Sequence, residues 1–390
     1  MFYRLVQSNL SQAIQVLSQF LIIYLLTTEV GTEGYSYYIQ ALTWISLISI
    51  ASIGPISTIL LKRSFFSGFN LKESLIVITK LRVVFSLFSV FIAMYLGNEI
   101  YIFLAIIVAN VNLWTGNAIS LLNYVKKNKL GIWVSLCSRF GVILCMIFCF
   151  SYFNDYIYIL SFVIFSLILV ILIKKQSFES DKVIIKENIS KKSYFDIWVG
   201  QCCENISQRI EYLLAPVFLS SLTFSTLIPV YSFFLSLTIP ITMFFKFLAT
   251  EVIFKFKNGH GTLKFLLVGM LFNFLISNSF YFLVYYFAHL FIGEIYVGVD
   301  ADKFDDYLLL LWPAFVFFCS SRFLFPIVLN ATKDNSSYRN LNIINCIAAI
   351  IIYTVMLMIN SSAESFIFSF TILNLFTFII YFKKVYGMIR

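Results

Sequence analysis

Apolar residues in this chain come in blocks of about twenty, the length a helix needs to cross a bilayer core of roughly 30 Å. The blocks run over 8–28, 35–61, 74–97, 100–123, 131–152, 155–173, 196–221, 224–247, 264–287, 307–330, 340–359 and 365–383. Short polar connections separate them, apart from one longer stretch at 174–195. The pattern predicts about twelve transmembrane helices and leaves no room for a separate water-soluble domain. Arg4 precedes the first block and no small-residue cleavage signature follows it, so that block reads as a retained span.

The charges set the topology. Alternate connections carry Arg4, Lys62, Arg63, Lys126, Lys127, Lys174, Lys175, Lys333, Arg339, Lys383 and Lys384. The intervening ones carry Glu29, Glu33, Glu99, Asp155, Glu294, Asp300, Asp302, Asp305, Asp306 and Glu364, against Lys303 alone. Basic connections stay on the cytoplasmic side, which puts both termini inside and makes the span number even. The expected fold is an all-α polytopic membrane protein with both termini cytoplasmic. Composition agrees: 60% of residues are hydrophobic and 12% charged, about half the charge of a soluble chain. The net charge of +9 is then a topology signal, aided by anionic membrane lipid, and does not point to nucleic acid.

The connection at 174–195 divides the blocks into two sets of six: an N-terminal lobe at 1–173, a basic cytoplasmic linker at 174–195 and a C-terminal lobe at 196–390. The lobes echo one another. With Asn9 laid on Asn205, Ser11 meets Ser207, Gln12 meets Gln208, and Ile14 and Leu17 meet Ile210 and Leu213. Leu26-Thr27 then meets Leu222-Thr223, Tyr35-Ser36 meets Tyr231-Ser232, and Ile45 meets Ile241. An even number of spans inserts both lobes in the same sense, so the predicted architecture has an approximate two-fold along the membrane normal. Parallel repeats around a central cavity suit a transporter.

Polar groups inside the blocks are the candidate site. Ser8, Gln12, Gln15 and Gln19 lie on one face of the first span, and the repeat sets them on Glu204, Gln208, Glu211 and Ala215 of the seventh. Stripes on corresponding helices are expected to face the shared interior, where Glu204 and Glu211 escape the cost of lipid exposure. Interhelical hydrogen bonding is the competing role for the glutamines and serines. Arg139, Arg209 and Arg322 lie deep within the fifth, seventh and tenth spans. Guanidinium forks match phosphate oxygens and stay charged in a partly dry cavity. Pairing with Glu204 or Glu211 is the alternative for Arg209.

Motifs of catalysis are missing: there is no Gly-rich phosphate loop, no HExxH and no nucleophile elbow. The seven cysteines fall in or beside apolar blocks with no CxxC pair, which reads as small buried hydrophobes and no metal. No cofactor is expected beyond a coupling proton or sodium ion.

The stretch Thr27-Thr28-Glu29-Val30-Gly31-Thr32-Glu33-Gly34-Tyr35-Ser36-Tyr37-Tyr38, then Ile53-Gly54-Pro55 and Leu61-Lys62-Arg63, resembles polysaccharide exporters. The endings Leu122-Asn123 to Lys126 and Leu329-Asn330 to Lys333 resemble cytoplasmic helix ends of the same proteins. These are the O-antigen flippases of the multidrug/oligosaccharidyl-lipid/polysaccharide exporter superfamily. The resemblance implies a transporter, not an enzyme, that turns an undecaprenyl-pyrophosphate-linked oligosaccharide from the cytoplasmic to the periplasmic leaflet by alternating access. It implies a cationic cavity in which Arg139, Arg209 and Arg322, with Gln12, Gln15 and Gln208, meet the headgroup, and in which Glu204 and Glu211 couple ions. Other polysaccharide-assembly membrane proteins are the implied partners. A cation-coupled small-molecule antiporter of the same superfamily is the first rival, although the first span here holds glutamines and no acid. A membrane O-antigen polymerase is the second, and it would need larger outer loops.

Overall fold

The computed structural model describes residues 2–53, 69–70, 84, 105–109, 111, 128–151, 171, 186–187, 191–257, 263–288, 301–321 and 335–389. The chain forms two compact units, Met1–Tyr194 and Phe195–Arg390, dividing at the end of the basic connection.

In the first unit, α1 (Phe2–Ile53) is two helices joined across Gly31, whose backbone at φ 73° and ψ 178° is one a side chain rarely allows. The joint falls between the first two predicted spans. α2 (Asn128–Ser151) packs along α1. A two-residue antiparallel ladder pairs β1 (Phe69–Asn70) with β2 (Lys186–Glu187), setting Phe69 opposite Glu187.

The second unit begins with α3 (Lys191–Ser207) and α4 (Ile210–Phe218), followed by α5 (Ser221–Lys257) and α6 (Leu263–Ala288). Then come α7 (Ala301–Cys319), α8 (Asn335–Ile359) and α9 (Ala363–Ile389). α7 packs against α9, α5 and α6, and α8 lies against α9 and α4. At 37 residues, α5 is about 55 Å long at ~1.5 Å per residue, well beyond its predicted bounds of 224–247.

The burial pattern inverts that of a water-soluble bundle. On α6, Asn273 and Ser277 are fully buried while Leu271, Phe274, Leu275 and Leu283 are exposed. On α9, Asn374, Thr377 and Tyr381 point inward while Phe368, Ile372 and Ile379 point out. Polar groups inside and large apolar groups outside are what a lipid solvent selects. Among the described residues, four helices are long and apolar enough to cross a membrane: Ser221–Thr238, Leu267–Phe287, Asn335–Ile359 and Ala363–Gly387.

Lipid tails give no hydrophobic drive between helices, so close packing must hold them. In the second unit aromatic rings supply it. Tyr231 meets Phe366 and Phe370 edge-on, with centroids 5.4 and 5.1 Å away. Phe234 meets Phe315 and Phe370 in the same way at 5.5 Å.

Candidate functional site

Among the described residues, the seventh predicted span, 196–221, departs from a simple helix. It breaks at Gln208–Arg209 into α3 and α4. Arg209 takes φ −132° and ψ 3°, and its amide donates to Ile206 O at 3.0 Å, one residue short of the α-helical register. The Tyr212 amide likewise reaches back only to Arg209 O, at 3.2 Å. Side chains on the last turns of α3 compete for the backbone: Asn205 Nδ2 donates to Gln201 O at 2.7 Å and Ser207 Oγ to Glu204 O at 2.8 Å. Pro216 within α4 has no amide to donate at all.

The break gives the two carboxylates different partners. Seven residues apart, Glu204 and Glu211 would share a face of an unbroken helix. Instead Glu204, before the break, accepts from the Tyr338 hydroxyl of α8 and from Gln208 Nε2 at 3.3 Å. Glu211, after the break, is 1% exposed and accepts from the Tyr231 hydroxyl of α5. Tyr212 stands edge-on to Tyr231 with centroids 5.3 Å apart, and Phe366 lies between Tyr231 and Tyr353. The tyrosine that reaches Glu211 thus belongs to an aromatic cluster. Arg209 lies within electrostatic range of Tyr212 and Glu211.

Polar contacts continue between α3, α8 and α9. Asn342 Nδ2 donates to Tyr338 O at 3.0 Å, and Tyr381 donates to Asn342 Oδ1 at 2.6 Å. Asn345 Nδ2 donates to Ser207 Oγ at 3.2 Å while Thr377 donates to Asn345 Oδ1. At the N-terminal ends of α3 and α8, Arg339 Nη1 bonds Asp196 Oδ1 at 2.6 Å. The helices approach closely there because residue 200 is glycine. A Cβ on it would come within 2.7 Å of the Tyr338 ring.

In the first unit Arg139, half-buried on α2, lies within electrostatic range of Tyr38 on the second half of α1. Tyr38 stacks with Tyr35 at 6.4 Å between centroids. Gln12 and Gln15 fall on helix α1, but their side chains lie outside the described residues, as does Arg322 altogether. Ser320 and Ser321, the last described residues before Arg322, have π-helical geometry, and Asn273 Nδ2 donates to Ser320 Oγ at 2.6 Å in a buried pair.

The structure therefore brings Glu204 together with Gln208, and leaves Arg209 in electrostatic range of Glu211. It adds tyrosines that sequence reasoning passed over. Tyr231 was within reach, being the image of Tyr35 in the repeat. Tyr338, Asn342 and Asn345 were also legible as a polar stripe at helical spacing in an apolar block.

No family model matches the chain, and no curated protein sequence is significantly similar. Solved structures are. The MATE multidrug transporter DinF-BH, solved as a complex, superposes with a TM-score of 0.66 at 12% identity, over 98% of this chain and 94% of its own. An outward-facing multidrug resistance MATE family transporter of the MOP superfamily gives 0.61 at 13%, over 99% and 94%. A MOP superfamily transporter from Pyrococcus furiosus, described as having a binding pocket of reverse polarity, gives 0.58 at 10%, over 99% and 95%. At such identities the likeness speaks for the fold. This chain is an all-α, multi-pass membrane protein with the architecture these transporters share.

Proposed function

We propose that the protein is an alternating-access membrane transporter, coupled to a cation through the carboxylates of its second unit. The observation that carries this reading is Glu211, a buried carboxylate bonded to the Tyr231 hydroxyl inside a bilayer-type bundle, next to a broken helix. Ionisable groups at such depth are costly and mark ion or substrate pathways. Broken helices at membrane depth are the usual frame for such sites.

Small-molecule export, powered by an incoming proton or sodium ion, is the substrate class best supported. Structures of the same fold include one described as a multidrug transporter and another as a MATE transporter in complex with Rb+. A buried carboxylate within a membrane bundle is also suited to a cation. The test is transport of a cationic dye in proteoliposomes with an imposed proton or sodium gradient. Export by the parent chain, with at least a tenfold loss in Glu211→Gln and loss of the ion response, is the expected result. Gradient-independent transport by Glu211→Gln at the parent rate ends the coupling role.

Flipping of an undecaprenyl-pyrophosphate-linked oligosaccharide is the second reading, favoured by Arg139 beside Tyr38 and by the resemblance in 27–38. It makes the protein a bacterial inner-membrane component with cytoplasmic termini, working with other polysaccharide-assembly proteins. Its test is headgroup exposure in vesicles carrying the lipid-linked saccharide. Arg139→Ala and Arg322→Ala should each slow flipping, whereas dye export without any flipping retires this reading.

A further inference from the structure

Asn374 on α9 is fully buried, and the contacts described so far leave half of its amide unexplained. Its Nδ2 donates to Phe370 O at 2.7 Å, one turn back along the same helix, while its Oδ1 is buried and meets no hydrogen-bond donor. Inside a lipid-solvated bundle, an acceptor in that position is costly, because neither lipid nor an apolar side chain can donate to it.

Contacts on both sides fix the height of Asn374 on α9. Four residues before it, Phe370 packs edge-on against Tyr231, whose hydroxyl reaches Glu211 on α4. Three residues after it, Thr377 donates to Asn345, which donates to Ser207, the last residue of α3. Asn374 therefore stands between the levels of Ser207 and Glu211, which is the level of the break. The break has the opposite deficit, a shortage of acceptors. Arg209 occupies the capping position of α4 and makes no side-chain bond to the first amides. The Tyr212 amide turns back to Arg209 O, and the amide of the buried Ile210 faces out of the helix start as a donor.

We propose that a resident water molecule binds in the break of the seventh span, donating to Asn374 Oδ1 and accepting from the Ile210 amide. The two protein groups choose the ligand. An anion at the helix start could accept from the amide but not donate to the carbonyl oxygen, and a metal cation could meet the oxygen but not the amide. Water does both, which is the usual role of a buried one. It makes α9 a support for both halves of the divided span: Thr377 acts through Asn345 on α3, and Asn374 through the water on α4.

Electron cryomicroscopy of the full-length protein in lipid nanodiscs, at a resolution that shows ordered water, tests this. A density peak about 2.7–3.2 Å from both Asn374 Oδ1 and the Ile210 amide is expected. Asn374→Leu keeps the bulk but removes the acceptor, and should lose the peak, whereas the smaller polar side chain of Asn374→Ser should keep it. The parent map decides alone if Asn374→Leu fails to insert. A side chain donating directly to Asn374 Oδ1, apolar atoms alone around it, or a peak unchanged in Asn374→Leu overturns the site. So does a peak that grows and fades with the sodium or chloride concentration, which marks an ion. No substrate or gradient enters these measurements, so the transport reading can fail while the water site stands.

Discussion

Tyr35 in the first unit and Tyr231 in the second occupy equivalent positions of the internal repeat, and both are buried. Each stacks on the ring three residues later: Tyr35 on Tyr38 with centroids 6.4 Å apart, Tyr231 on Phe234 at 6.1 Å. The surrounding charge differs. The first pair has the Arg139 guanidinium in range, while Tyr231 donates to the Glu211 carboxylate. The repeat explains how: Glu211 aligns with Gln15, so the acid exists in one lobe only. The aromatic pairs are alike in the two units, and the charge beside them differs, a guanidinium in the first and a carboxylate in the second.

The comparison breaks most easily at the acid. Glu211→Ala leaves the Tyr231 hydroxyl buried without its acceptor and a cavity beside it, and should destabilise the second unit by about 2–4 kcal/mol. Thermal unfolding in detergent, followed by size exclusion, would show it. Gln15→Ala in the first lobe should cost far less, and an equal cost would mean the two centres are alike after all.

A Cβ at Gly200 has no room, since the Tyr338 ring stands at 2.7 Å and the Arg339 Cα at 3.2 Å. Gly200→Ala should therefore separate α3 from α8 and cost about 1–3 kcal/mol, the usual range for overpacking. Gly31 differs, because open space surrounds it and only its φ of +73° resists a side chain. Gly31→Ala should cost about 1–2 kcal/mol through the left-handed backbone alone. Unfolding midpoints that ranked Gly31→Ala as the more damaging change would reverse this reading.

Tyr231→Phe keeps the stacked rings and removes only the hydroxyl, at an expected cost of about 1.5–3 kcal/mol for a bond to a charged group. Tyr35→Phe should cost less. The smallest effect belongs to the partly exposed Asp196–Arg339 pair, where a double-mutant cycle should return about 0.2–1 kcal/mol that fades with added salt.

The helical architecture was legible because a bilayer imposes it. Spans must be long, apolar and internally hydrogen-bonded, and each requirement leaves its mark on local sequence. The Gly31 joint was legible for the same kind of reason, lying where the apolar run of the first span gives way to Glu29 and Glu33. The break at Gln208–Arg209 was not, since an apolar block looks alike whether its helix is whole or divided. The competition from Asn205 and Ser207 becomes visible only once their bonds to backbone carbonyls are seen.

Glu204 and Glu211 mark the limit. Composition and period alone set the two acids in one predicted span, because burial in lipid leaves a chain few ways to be apolar for so long. Helical spacing also set them on one stripe. Only the tertiary structure decided that they part company at Arg209, one going to Tyr338 on α8 and the other to Tyr231 on α5. Those tyrosines are 134 and 20 residues away along the chain, and such pairings come from how helices pack, which no local period encodes.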